Sequence, residues 1–210
     1  MKILSAGPKE KTFINRPYNT EVFYVNEKHE KENIDFLNPW YCELTGLYYL
    51  NKHYKDDVMG LDQYRRAFNL NETQIIDKLN NFDIITHSTN IEPYPRIWYL
   101  NRGFGYGSLQ KEIAEIYAVI KYLYPDMINS YMDALHSKQS CQHNMFICKK
   151  ETFDLYCNFV FSILNTYIEA YNIKDKPLRF IGHIFELTGL NTFINHYKLK
   201  NFNAPIIWGK

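Results

Sequence analysis

NPWYCELTGLYYLNKHYKDDVMGLDQYRRAF, residues 38–68, is the stretch that decides the fold. Asn38 reads as a helix cap with Pro39 at the first helical position, where a missing N–H costs nothing. Over residues 40–54 the apolar positions Tyr41, Leu44, Leu47 and Tyr48 recur with helical spacing. The apolar run at 58–61 then reads as a short buried strand, with Asp62, Gln63, Tyr64, Arg65 and Arg66 at its carboxyl end. A helix feeding a buried strand is the unit of an open α/β sheet, whose ligands bind at the carboxyl ends of its strands. Two adjacent arginines there would neutralise a diphosphate, because the guanidinium fork matches phosphate oxygens. By periodicity alone they read more simply as the start of a solvated loop.

The rest of the chain extends the same pattern. Residues 2–6 read as a short buried strand ending at Gly7-Pro8, a place for a ligand-facing loop, and 22–25 as a second strand. Asn71 and Gln74 have the spacing of a capping box for a helix through 79, and 82–86 is another strand. From 91 to 107 the pattern dissolves into Pro, aromatics and glycines. Ser108 then caps a helix at 109–124, followed by helices at 128–136, 150–171 and 178–197, with a strand at 144–148 and an extended tail at 201–210. The expectation is a single α/β domain over 1–210. Its donor-nucleotide half spans 1–90, and a helix-rich acceptor-side half spans 91–210.

Composition narrows the function. Twenty-four Lys and Arg against 23 Asp and Glu give a formal charge of +1, whereas a protein gripping nucleic acid by bulk electrostatics carries a basic stripe. Cys42, Cys141, Cys148 and Cys157 form no CxxC pair and read as reduced thiols. The opening MKILSAGPKEK is too briefly apolar for a signal peptide, and no stretch reaches the roughly 18 uninterrupted apolar residues of a membrane span. A cytoplasmic location is therefore expected. Aromatics reach 17%, which suits stacking on sugars or bases, although the accompanying wealth of Asn, Lys and Ile fits an AT-rich genome and an aromatic core.

The blocks NPWYCELTGLYY and GLDQYRRAF are similar to the signature of a bacterial glycosyltransferase-like family from capsular and exopolysaccharide gene clusters. There NPxYCELTGLYW leads to a strand reading roughly GLCHYRRYF, so Asp62 and Gln63 stand here for its Cys-His pair. Asn144-Met145-Phe146-Ile147 with the following KKETFDLYC resembles its NMFI block. Arg179-Phe180-Ile181-Gly182 with Glu186-Leu187 resembles its R-x-x-G-x-x-x-E-R-L helix. The resemblance implies a GT-A-like nucleotide-sugar-binding sheet flanked by helices, and glycosyl transfer from a nucleotide diphosphate donor such as a UDP-sugar.

Such a reaction has three needs. The departing diphosphate needs positive charge. Arg65 and Arg66 are the first candidates, with Tyr64, Asp62 and Gly7 also on the donor side. The Asp-x-Asp pair of metal-dependent members of the fold is missing, which leaves Asp62 as the one candidate ligand for a divalent cation, Mg2+ or Mn2+. An inverting transfer also needs a base, for which Glu186 is favoured over Glu43, although a Glu on an apolar helix is often only a paired structural charge. Sugar and acceptor hydroxyls need polar partners, and Asn144, Trp40 and Arg179 are the candidates, with Asn144 equally able to cap a turn. The glycines at 103–107 read as a flexible loop or a lid over the donor. His136, Cys141, His143 and Cys148 are spaced like no common zinc site.

Three functions follow. The acceptor is a surface glycan; or it is a hydroxymethylated base in DNA, gripped by the tail residues Lys198, Lys200 and Lys210 with Tyr197, Phe202 and Trp208; or the chain is a non-catalytic module that binds nucleotide sugars.

Overall fold

The computed structural model describes residues 1–88, 91–102 and 107–209; the stretch 103–106, most of the expected lid, lies outside them. The strands are β1 Lys2–Gly7, β2 Glu21–Tyr24, β3 Val58–Gln63, β4 Arg66–Phe68, β5 Ile84–Ser88, β6 Cys141–Lys149, β7 Asn201–Asn203 and β8 Ile206–Trp208. Among the described residues they form one mixed sheet in the order β2-β1-β3-β6-β5-β7, with β4 joining β3 to β8. β1 is parallel to β2 and β3, while β6 runs antiparallel to β3 and β5. The start of β6 therefore lies at the same edge as the carboxyl ends of β1 and β3.

Successive side chains alternate between the two faces of this sheet. Leu4, Met59, Leu61, Ile84, Phe146 and Cys148 face one core, and Ile3, Val58, Ile85, Met145 and Ile147 face the other. The helices are α1 Asn38–Tyr41, α2 Leu44–His53, α3 Glu72–Leu79, α4 Arg96–Arg102 and α5 Gln110–Leu123. They continue with α6 Ile128–His136, α7 Lys150–Ala170, α8 Phe180–Ile184 and α9 Leu190–Tyr197. Among the helices of the described residues only α3 contributes to the smaller core, through Ile75 and Leu79. The larger core takes Phe153, Tyr156, Cys157, Val160, Ile163, Leu164 and Tyr167 from one face of α7. Gly60 lets β6 close on β3, because a Cβ there would stand 2.7 Å from the Phe146 carbonyl oxygen. Among the described residues no helix is long and apolar enough to cross a membrane.

Several local expectations are met. Asn71 and Gln74 cap α3 reciprocally, each side chain accepting the other's backbone N–H at 2.9 and 2.8 Å. Two expected helices are instead broken. The one over 40–54 is interrupted at Cys42, whose φ of 53° lies in the left-handed region. The one over 178–197 contains a π turn at Phe185–Gly189, accompanied by Thr188 and Thr192 hydroxyls that donate back to Ile184 and Thr188 carbonyls. The region expected to be irregular contains α4. Ser108 does not form the expected helix cap: Leu109 holds that position.

A buried cation fixes the site edge of the sheet. Arg16 donates to Asp62 at 2.9 Å, to the Gln63 carbonyl at 2.8 Å, and to Ser5 and the Ile14 carbonyl. Tyr18 donates to the same Asp62 oxygen at 2.8 Å and accepts the Phe68 N–H at 2.9 Å. The loop after β1 is thereby bound to the ends of β1, β3 and β4. Removing one member of a buried pair strands the other charge, at a cost of about 3–5 kcal/mol. Arg16→Met should destabilise the fold by about that much in urea unfolding. Arg16→Met/Asp62→Asn should recover part of the loss.

Candidate functional site

A cavity of about 820 Å³ opens where β1 and β3 end and β6 begins. The β3–β4 turn supplies Gln63, Tyr64, Arg65 and Arg66, the break after α1 supplies Glu43, β6 supplies His143, and the α8 region supplies Arg179, His183 and Glu186. Arg65 and Arg66 thus lie on the strand-end side together with Glu10, and Glu43, Glu186 and Arg179 on the helical side. Both chain halves contribute.

Backbone strain marks the same place. Cys42, His143, Asn144 and Arg179 have φ of 53°, 73°, 51° and 63°, a region few non-glycine residues occupy. Residues held there cluster at functional sites, where surrounding contacts over-determine them. Here Gln63 Nε2 donates to the His143 carbonyl at 2.8 Å and Asn144 Nδ2 donates to Glu43 at 2.8 Å. The register between β5 and β6 slips beside this pair. Across the cavity, the Arg179 N–H donates to the Pro39 carbonyl at 2.8 Å, and Gly182 packs against Cys42 so closely that a Cβ would stand 2.9 Å from Sγ.

Of the residues singled out in the sequence, Arg65, Arg66, Tyr64, Glu43, Glu186 and Arg179 line this cavity. Arg65 is exposed, while Arg66 is buried, hydrogen-bonded to Gln63 and stacked 4.6 Å from the Trp208 ring centroid. Four others are placed differently. Asp62 is fully buried and committed to Arg16 and Tyr18, so the residue expected to hold a donor or a divalent cation does not line the cavity. Its surroundings supply a cation and a hydroxyl rather than further carboxylates, a set that does not fit a divalent ion. Gly7 lies just behind the lining, where its missing Cβ leaves room for Tyr64. Asn144 is buried beneath Glu43 instead of facing a ligand, and Trp40 donates its indole N–H to the Lys176 carbonyl at 3.3 Å. Among the described residues no group of three or more His, Cys, Asp or Glu is arranged to hold a metal.

The two carboxylates sit in opposed environments. Burial, reinforced by the Glu186 charge, pushes Glu43 up to about 7. Burial also acts on Glu186, but His143 and His183 outweigh it with hydrogen bonds and charge, and they hold the carboxyl well below its usual range. His143 Nδ1 lies 3.0 Å from Glu186 Oε1, and His183 Nδ1 lies 3.5 Å from Oε2. Burial lowers the His143 imidazole despite that carboxylate, with Arg66 and His87 acting in the same direction. Sequence reasoning missed Arg16, Gln63, His143 and His183. His143 and His183 fall beside or within the quoted blocks, whereas nothing local marks Arg16, whose partner is 46 residues away.

A family model described as "Domain of unknown function (DUF4422)" matches residues 11–198. No curated protein matches the chain. The solved apo structure of the bifunctional glycosyltransferase WbbM is similar, with a TM-score of 0.83 and 24% identity. That likeness covers 100% of this chain and 45% of the WbbM chain, so the present chain spans less than half of that protein's length. The expected α/β sheet flanked by helices is therefore the fold of part of a glycosyltransferase.

Glu43 yields a pH test. Its carboxyl releases its proton near 7 in the fold and near 4.5 in the unfolded chain, so the native state binds more protons between those values. Its contribution is full below about 4.5 and is lost as pH rises to about 7. Wild type should lose stability relative to Glu43→Gln across that window in denaturant unfolding. The comparison cancels the opposite slope from His143, whose lowered value favours the fold as pH rises towards 6.5.

Proposed function

The chain belongs to the DUF4422 family, and we propose that it is a glycosyltransferase that moves a sugar from a nucleotide diphosphate, a UDP-sugar, to a hydroxyl of a surface glycan. The observation that carries this reading is one cavity with Arg65 and Arg66 at the strand ends and Glu43 and Glu186 opposite. Leaving-group charge and acceptor proton are the two things such a reaction must manage, and they arise at opposite ends of the transferred sugar.

In this reading residues 1–90 hold the donor. The nucleoside lies against the carboxyl ends of β1 and β2, beside Ala6, Pro8, Val25 and Asn26. The diphosphate meets Arg65 and Arg66. Arg66 is the fixed member, held over the Trp208 ring, and the exposed Arg65 closes on the phosphates. The helical half, 91–210, brings Arg179 and Glu186 to the sugar and acceptor side. No step is routed through a divalent cation, because Asp62 is engaged elsewhere.

The glycan acceptor is preferred over a DNA base for a specific reason. Phe202 packs on Phe82 and under Lys78, and Trp208 stacks on Arg66, so these tail aromatics serve internal contacts. The non-catalytic alternative is separated by turnover: an enzyme given a panel of UDP-sugars should show slow hydrolysis of one of them, and a binding module should show none. Arg65→Ala should weaken UDP binding about 10-fold or more in titration calorimetry, the scale of one charge-assisted hydrogen bond. Its melting temperature should stay near wild type, because the side chain is exposed. Undiminished UDP affinity would place the diphosphate elsewhere.

A further inference from the structure

We propose that His143, rather than either carboxylate, is the group that takes the acceptor's proton, with Glu186 as its positioning partner. The inference rests on the glycosyltransferase reading and assigns a residue within the same cavity. It departs from the sequence expectation, which favoured Glu186 itself.

The geometry is that of a carboxylate–imidazole dyad. Glu186 Oε1 lies 3.0 Å from His143 Nδ1. An ionised carboxylate only accepts, so Nδ1 carries the proton and Nε2 keeps its lone pair. Nε2 has no hydrogen-bond partner among the described residues, and the His143 side chain lines the cavity. Away from the cavity the ring is held by its neighbours. His87 of β5 lies parallel at 6.3 Å, and Trp208 of β8 meets it edge-on at 5.7 Å. Gln63 holds the His143 carbonyl in its left-handed conformation. His183 of α8 reaches the second Glu186 oxygen, and Arg66 of β4 and Glu43 ahead of α2 line the same cavity. Glu186, with both oxygens engaged by histidines, is poorly placed to accept a further proton. A buried imidazole next to a guanidinium stays neutral near pH 7, the state a base requires.

The step balances. The acceptor hydroxyl oxygen bonds to the anomeric carbon while its proton passes to His143 Nε2. The bond from that carbon to the diphosphate oxygen breaks, and its electron pair leaves with the nucleotide diphosphate, facing Arg65 and Arg66. Water serves as acceptor in donor hydrolysis, so the natural glycan is not needed for the test.

UDP-sugar hydrolysis and UDP-sugar binding should be measured between pH 5 and 9 for wild type, His143→Gln, Glu186→Gln and Glu43→Gln. His143→Gln should lose kcat by about 100-fold or more, the usual worth of a positioned base, with donor affinity nearly unchanged. Wild-type activity should fall on the acid side as His143 is protonated. Glu186→Gln should move that acid limb to lower pH, because the carboxylate that raises the imidazole is gone. A merely structural Glu186 would lower activity without moving the limb. If His143→Gln fails to fold, the limb shift in Glu186→Gln still decides the matter. Wild-type turnover in His143→Gln, an unmoved limb in Glu186→Gln, or a limb abolished only in Glu43→Gln would each overturn the assignment. Wild type that neither binds nor hydrolyses any UDP-sugar would instead sink the parent reading, and the dyad with it.

Discussion

The site depends on a two-residue stretch of backbone, His143-Asn144, held where non-glycine residues seldom go. Each left-handed residue costs of order 1 kcal/mol or more, so the pair persists only because other groups over-determine it. Gln63 holds the first carbonyl and Asn144 grips Glu43. The result turns the His143 ring into the cavity and puts the Asn144 amide under a carboxylate that would otherwise be buried bare. Gln63 has a second task, since its side-chain Oε1 accepts from Arg66. One amide thereby couples the imidazole wall to the cationic wall.

Arg16 and Asp62 provide the stiffness beneath. Their pair, joined by Tyr18 and Ser5, ties the loop after β1 to the ends of the parallel strands β1 and β3, the second of which runs into the arginine turn. Asp62 and Gln63 both have structural roles, Asp62 as a counter-ion and Gln63 as a bridge.

How much of this was legible follows from what periodicity can carry. The alternation of Leu4, Met59, Leu61 and Phe146 against Ile3, Val58 and Met145 is a local signal, and β1, β2, β3 and β5 came through with errors of a residue or two, whereas β6 begins three residues before the expected 144 and β4 was not foreseen. The capping box at Asn71 and Gln74 is equally local. The helix breaks at Cys42 and Phe185 were not legible, because apolar spacing continues through both; the first packs against the distant Gly182, and the second is accompanied by back-bonding of Thr188 to Ile184, which apolar spacing does not register. Arg65 and Arg66 drew notice by their place after an apolar run and by the resemblance of their block, since by periodicity alone they read as the start of a solvated loop. Asp62 misled for the converse reason. A carboxylate at a strand end reads as functional until its buried partner, far off in sequence, is seen.

The cavity wall draws on Pro8, Glu43, Arg66, His143 and Glu186, positions spread over most of the chain. The strand-end part of the lining comes from residues 6–66, and the wall that completes it comes only from residue 143 onwards. Pairings between such distant segments form late and slowly as a chain collapses, because long loops must close before the contacts reward them. A nascent or half-folded molecule therefore presents the arginine turn without the helical wall opposite it. The pocket arrives only with completion of the whole sheet, and a partly folded chain has none to offer a ligand.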